Sequence, residues 1–103
     1  MLQEVQSQHF HALLGRSGIL HLPDGSVMQI YIEYIEEQPA AKMYSSARIP
    51  FSVQLRSLEP TEFIDGLCAL QLPEIGQVQD IFVSRMPPMG RDPQLGYFHI
   101  SFN

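Results

Sequence analysis

Tryptophan is absent from this chain, and cysteine occurs once, at Cys68. A single thiol closes no internal disulfide, and one set between Leu67 and Ala69 reads as a small buried hydrophobe with no redox partner. Positive charge is scarce as well: six Lys and Arg against eleven Asp and Glu give a net charge of −5. Phosphate backbones are recognised by clustered positive charge, so the expectation is no nucleic-acid partner. No uninterrupted apolar run approaches the roughly 20 residues of a bilayer-spanning helix, so no membrane partner is expected either. The opening MLQEVQSQHF has neither the basic nor the apolar region of a secretory leader, which makes the cytoplasm the expected location unless the protein leaves within a larger particle.

Motifs that organise catalysis are missing too. There is no G-x-S-x-G elbow, no G-x-x-x-x-G-K-[ST] phosphate loop, no G-x-G-x-x-G fingerprint and no H-E-x-x-H pair. With 103 residues, 45% of them hydrophobic, the chain has material for one core, so residues 1–103 are read as a single domain.

What is present is alternation. In residues 48–58, RIPFSVQLRSL, a proline leads into a strand with Phe51, Val53 and Leu55 on one face and Ser52, Gln54 and Arg56 on the other. Before it, residues 5–15 predict a short helix, with Ser7 as its cap, Phe10, Leu13 and Leu14 as its stripe, and Gly15 at its left-handed end. A strand over 18–22 and a Pro-Asp-Gly-Ser turn then lead into a second arm over 27–37. In that arm Met28, Ile30, Ile32 and Tyr34 form the better core face. Residues 36–47 lose the alternation and read as the longest loop, partner-facing or merely solvated. Three further strands are predicted at 67–72, 77–86 and 97–102, the second most buried at Ile81, Phe82 and Val83, the last directing Phe98, Ile100 and Phe102 inward. Pro87 and Pro88 end the second of these, because a strand interior does not accommodate two residues without N–H donors. The fold class is therefore mainly β, a small antiparallel sandwich or partly closed barrel of about six strands with one short N-terminal helix.

His9, His11, His21 and His99 are the available imidazoles, but positions i and i+2 diverge on a helix, so His9 and His11 do not share an ion and no metal site is expected. Glu36 and Glu37, and Glu59 and Glu62, are paired acids in expected loops and read as solvated charge. A dyad between Cys68 and a histidine is opposed by the apolar strand, which raises a thiol pKa. Tyr34, Tyr44, Met86, Met89 and Tyr97 remain as a ligand or partner surface, aromatic anchors and soft thioethers being suited to contacts. No catalytic residues, metal ligands or cofactors are assigned.

PFSVQLRSL, then Gly66 opening a strand, then LPEIGQVQDIFVSRMPP and a terminal YFHISFN, together with F-x-x-L-L-G at residues 10–15, resemble a family of small uncharacterised bacterial domains. Cys68 departs from a usual aromatic and Ser84-Arg85 from a more apolar pair. The resemblance implies genomic company with phage-tail-type collar or fibre proteins and supplies no catalytic residue. Together these readings lead to an expected non-enzymatic protein-interaction or assembly domain, accessory to a phage-tail-like structure, whose partner is another protein or a second copy of the chain. A small-ligand-binding barrel mouth lined by Tyr34, Met86, Met89 and Tyr97 is the second reading. The third is an unrecognised hydrolase or metal enzyme that brings His21 and His99 together beside a carboxylate.

Overall fold

Phe51, Val53 and Leu55 do project together into an apolar interior, each at most 1% exposed, and the rest of the chain wraps around them. The computed structural model describes residues 4–41 and 48–102. In chain order its elements are α1 (Ser7–His11), β1 (Ser17–His21), β2 (Val27–Glu37), a 3-10 turn (Pro39–Ala41), β3 (Phe51–Pro60), β4 (Asp65–Leu72), β5 (Gly76–Met86) and β6 (Leu95–Phe102). The strands are antiparallel to their neighbours and form a closed barrel in the order β1-β2-β3-β6-β5-β4, with β4 returning to β1 through Leu20–Leu70 and His21–Ala69. This is the partly closed barrel of the sequence reading carried to full closure.

Alternation fixes which side chains fill the barrel. Leu20, Met28, Ile30, Ile32, Cys68, Leu70, Leu72, Val78, Ile81, Val83, Phe98 and Ile100 join the β3 residues in the core. Burying each large side chain of this set contributes about 1.5–3 kcal/mol. One end is closed by α1, which at five residues is too short to persist alone and is held by Phe10. Its ring lies 5.9 Å from Phe51 and 5.4 Å from Phe102, which stack on each other at 4.6 Å. Arg48 reaches over the same two rings and donates to the Val5 carbonyl at 2.6 Å. At the other end Arg85 donates to the carbonyls of Thr61 and Phe63, at 3.0 and 2.8 Å, with its guanidinium over Phe98. Phe10 and Arg48 thus pack over one end of the barrel and Arg85 over the other.

Several expectations are corrected. The helix occupies only Ser7–His11, and its cap is Gln6, whose N–H donates to His9 Nδ1 at 2.9 Å, not Ser7. Ser7 instead donates through its hydroxyl to Glu37 Oε2. Leu14 leaves the helical stripe to bridge Ile32, although Gly15 does take the left-handed conformation, φ 80°. Tyr34 is not on the core face of β2. Register runs Ile32–Leu55 and then Tyr34–Gln54, so Glu33 is an extra residue, and this β-bulge returns Ile35 to the inside opposite Val53 while Tyr34 faces out. Phe82 is likewise an outward residue, exposed beside Leu67, because strict alternation buries only its neighbours Ile81 and Val83. Glu36 and Glu37 belong to the end of β2, and of the expected 36–47 loop, residues 42–47, Tyr44 among them, lie outside the described residues.

Candidate binding face on the barrel exterior

Tyr31, Arg56, Tyr97 and Met86 sit side by side on β2, β3, β6 and β5, each the register partner of the next. Their chain neighbours Ile30, Ile32, Leu55 and Phe98 point into the core, so this row points out. The next outward row is Tyr34, Gln54, His99 and Ser84. Between the two rows the bulge inserts Glu33, and the loop over residues 87–94 folds back onto them.

Glu33 holds the arrangement together. Its Oε2 lies 3.5 Å from Arg56 Nε, and its Oε1 accepts a hydrogen bond from Arg91 Nη1. Each arginine is also laid on a tyrosine: Arg56 Cζ is 4.9 Å from the Tyr31 centroid and Arg91 Cζ 3.9 Å from that of Tyr97. Such cation–π contacts are worth about 0.5–1 kcal/mol where exposed and about 2 where water is displaced. Tyr97 is in the second situation, since it is only 2% exposed although it faces away from the core.

Arg91 further fixes the loop. Its Nε donates to the Pro88 carbonyl at 2.8 Å, and its backbone N–H reaches the same oxygen at 3.1 Å. This closes a turn whose central residues, Met89 and Gly90, have φ of 55° and 85°, the pair of positive values that a type I′ turn needs. Glycine takes that conformation freely, whereas methionine does so at a cost of about 1 kcal/mol. Met89 nonetheless occupies the tip and is 73% exposed.

Among the described residues, the candidates Tyr34, Met86, Met89 and Tyr97 therefore gather on the outside of the barrel and not around a mouth. Tyr97 is the floor under Arg91, Met86 is half-buried beside it, and Tyr34 and Met89 are the exposed members. Glu33, Arg56 and Arg91 were not singled out. Alternation placed Arg56 outward, but its meeting with Glu33 depends on a bulge that no turn residue announces. Arg91 reaches the site through the fold-back of its loop.

Other candidates do not converge. His21 is on β1 and His99 on β6, strands that are not neighbours, and among the described residues no three His, Cys, Asp or Glu side chains are placed to hold a metal ion. Glu59 and Glu62 are exposed. Cys68 faces the core with its Sγ 3.7 Å from the Gly66 carbonyl, and burial pushes its thiol up to about 11. Concavities among the described residues lie elsewhere. One of about 530 Å³ is lined by Leu13, Ile19, His21 and Val27, one of about 300 Å³ by Leu22, Met28 and Glu59, and one of about 260 Å³ by Arg48, Asp80 and Phe102. No protein-family model, curated protein or solved structure matches the chain.

Proposed function

We propose that the chain is a non-enzymatic interaction domain that binds a protein partner through the face formed by Tyr34, Arg56, Met89 and Arg91. The supporting observation is Met89, a large apolar side chain held at 73% exposure in a left-handed backbone conformation on a loop pinned by Arg91. Exposure of one apolar residue needs no explanation, but exposure combined with an unfavourable backbone and a purpose-built anchor does. A tip ordered in advance loses less entropy on association, and a polarisable thioether fits many surfaces.

The groups collected here are guanidinium, carboxylate, thioether and aromatic rings, a set suited to recognition. The resemblance described above adds the setting, an accessory role in a phage-tail-like assembly; the cytoplasmic location and copies of the chain as one class of partner are further parts of the proposal. The test is site-specific photo-crosslinking from position 89 in the native host, with position 71 on β4 as the control. A discrete adduct from 89 and none from 71 supports the proposal; equal labelling from both, or none from either, removes it. Light scattering on the purified chain reports in the same way on self-assembly.

A further inference from the structure

The geometry points to a carboxylate-binding site on the Arg56–Arg91 pair, so that the partner proposed above meets this face with an acidic side chain. The inference rests on the interaction reading and adds the chemistry of the partner to it.

Charge and donor counts carry the argument. Two of the six basic residues of an acidic chain converge on one carboxylate, Glu33, and among the described residues no second carboxylate lies within 4 Å of either guanidinium. Arg56 spends its Nε on Glu33 and its Nη1 on the Ser57 carbonyl at 3.3 Å; Arg91 spends its Nε on Pro88 and its Nη1 on Glu33. The Nη2 group of each thus makes no bond within the described residues. The side chains are 29% and 32% exposed, so these donors are open to solvent. Stacking on Tyr31 and Tyr97 fixes the guanidinium planes, which lowers the entropy lost when they take up a second anion. Two guanidinium groups against one carboxylate match a single further carboxylate better than a doubly charged phosphate. Tyr34 and Met89, on the neighbouring row and loop, are 51% and 73% exposed and supply apolar contact area for the partner beside the arginines.

Titration of the Nε–Hε resonances of Arg56 and Arg91 tests this, at constant ionic strength. The probes are acetyl-Leu-Glu-Leu-amide, its Gln counterpart, acetyl-Leu-Gln-Leu with a free C-terminal carboxylate, and inorganic phosphate. The Glu peptide is expected to shift both resonances saturably and the Gln amide to leave them in place. Arg56→Gln and Arg91→Gln each weaken binding several-fold, and Arg16→Gln leaves it unchanged. Glu33→Gln strengthens it about tenfold, a gain of about 1.4 kcal/mol, because it removes the internal competitor while the tyrosine stacking and the bonds to the Ser57 and Pro88 carbonyls keep both guanidinium groups in place. An arginine pair that only clamps the loop gives no such gain, and that result overturns the inference. Tighter binding of phosphate overturns the carboxylate assignment, and tighter binding of the free chain end overturns the side-chain source. Peptides that fail to bind while position 89 still yields its adduct sink the carboxylate site alone. Peptide binding without an adduct sinks the interaction reading.

Discussion

Arg91 covers the ring of Tyr97 at 3.9 Å, and this contact turns a tyrosine on the outer face of a barrel strand into a residue 2% exposed. The arginine, and not the tyrosine hydroxyl, is therefore the energetic element. Arg91→Ala is expected to lower stability by about 1–2 kcal/mol through loss of the stacking and the Glu33 pair. Tyr97→Phe keeps the ring and is expected to stay within about 0.5 kcal/mol of the parent. Urea denaturation of the two variants checks the order.

Met89 sets stability against binding. Met89→Gly relieves the left-handed backbone and is expected to leave the fold as stable as before, or more stable by up to about 1 kcal/mol, since the entropy of the unfolded chain offsets part of the relief. The same change removes the apolar tip and is expected to weaken capture of the partner. Thermal unfolding and cross-linking from a neighbouring loop position give the two readouts.

Cys68 makes stability fall at alkaline pH. The folded thiol titrates at about 11, above its ordinary value of 9.0, because burial disfavours the thiolate. Between those values the unfolded chain has released the proton that the folded chain retains, so unfolding is favoured as pH rises. The contribution is fully present below pH 9 and fades towards 11, amounting to about 2 kcal/mol. Cys68→Ala is expected to flatten that part of the stability–pH curve, measured by denaturant unfolding from pH 8 to 11.

Gly96 leaves no room for a side chain on its strand. A Cβ there would lie 2.8 Å from both the Phe98 ring and Thr61 Cγ2, and its N–H donates to the buried Ser57 hydroxyl at 2.9 Å. Gly96→Ala is expected to cost about 1–3 kcal/mol through displacement of the Phe98 ring, readable as a lowered urea midpoint.

Period-two patterning was enough to place the barrel strands. Phe51, Val53, Leu55, Phe98, Ile100 and Phe102 are inside because one face of each strand is buried, a constraint written into adjacent residues. Tyr34 and Phe82 escaped for different reasons. Tyr34 is displaced by a bulge at Glu33 that ordinary residues form without a glycine or proline signal. Phe82 sits in an apolar triplet whose outer member had no polar residue to mark it. Of the contact-forming residues Tyr34, Tyr44, Met86, Met89 and Tyr97, residue type alone marks all five, the fold brings Tyr34, Met86, Met89 and Tyr97 to one side of the molecule, and Tyr44 lies outside the described residues. Their arginine partners depend on strand order and on where a loop folds back, neither of which is local in sequence.

The most direct test compares cross-linking from position 89 in the parent chain and in Arg91→Ala, each in the native host. The account predicts a discrete protein adduct in the parent that is lost in Arg91→Ala while the barrel remains folded. An adduct that survives the arginine substitution, or a parent that captures nothing, contradicts it.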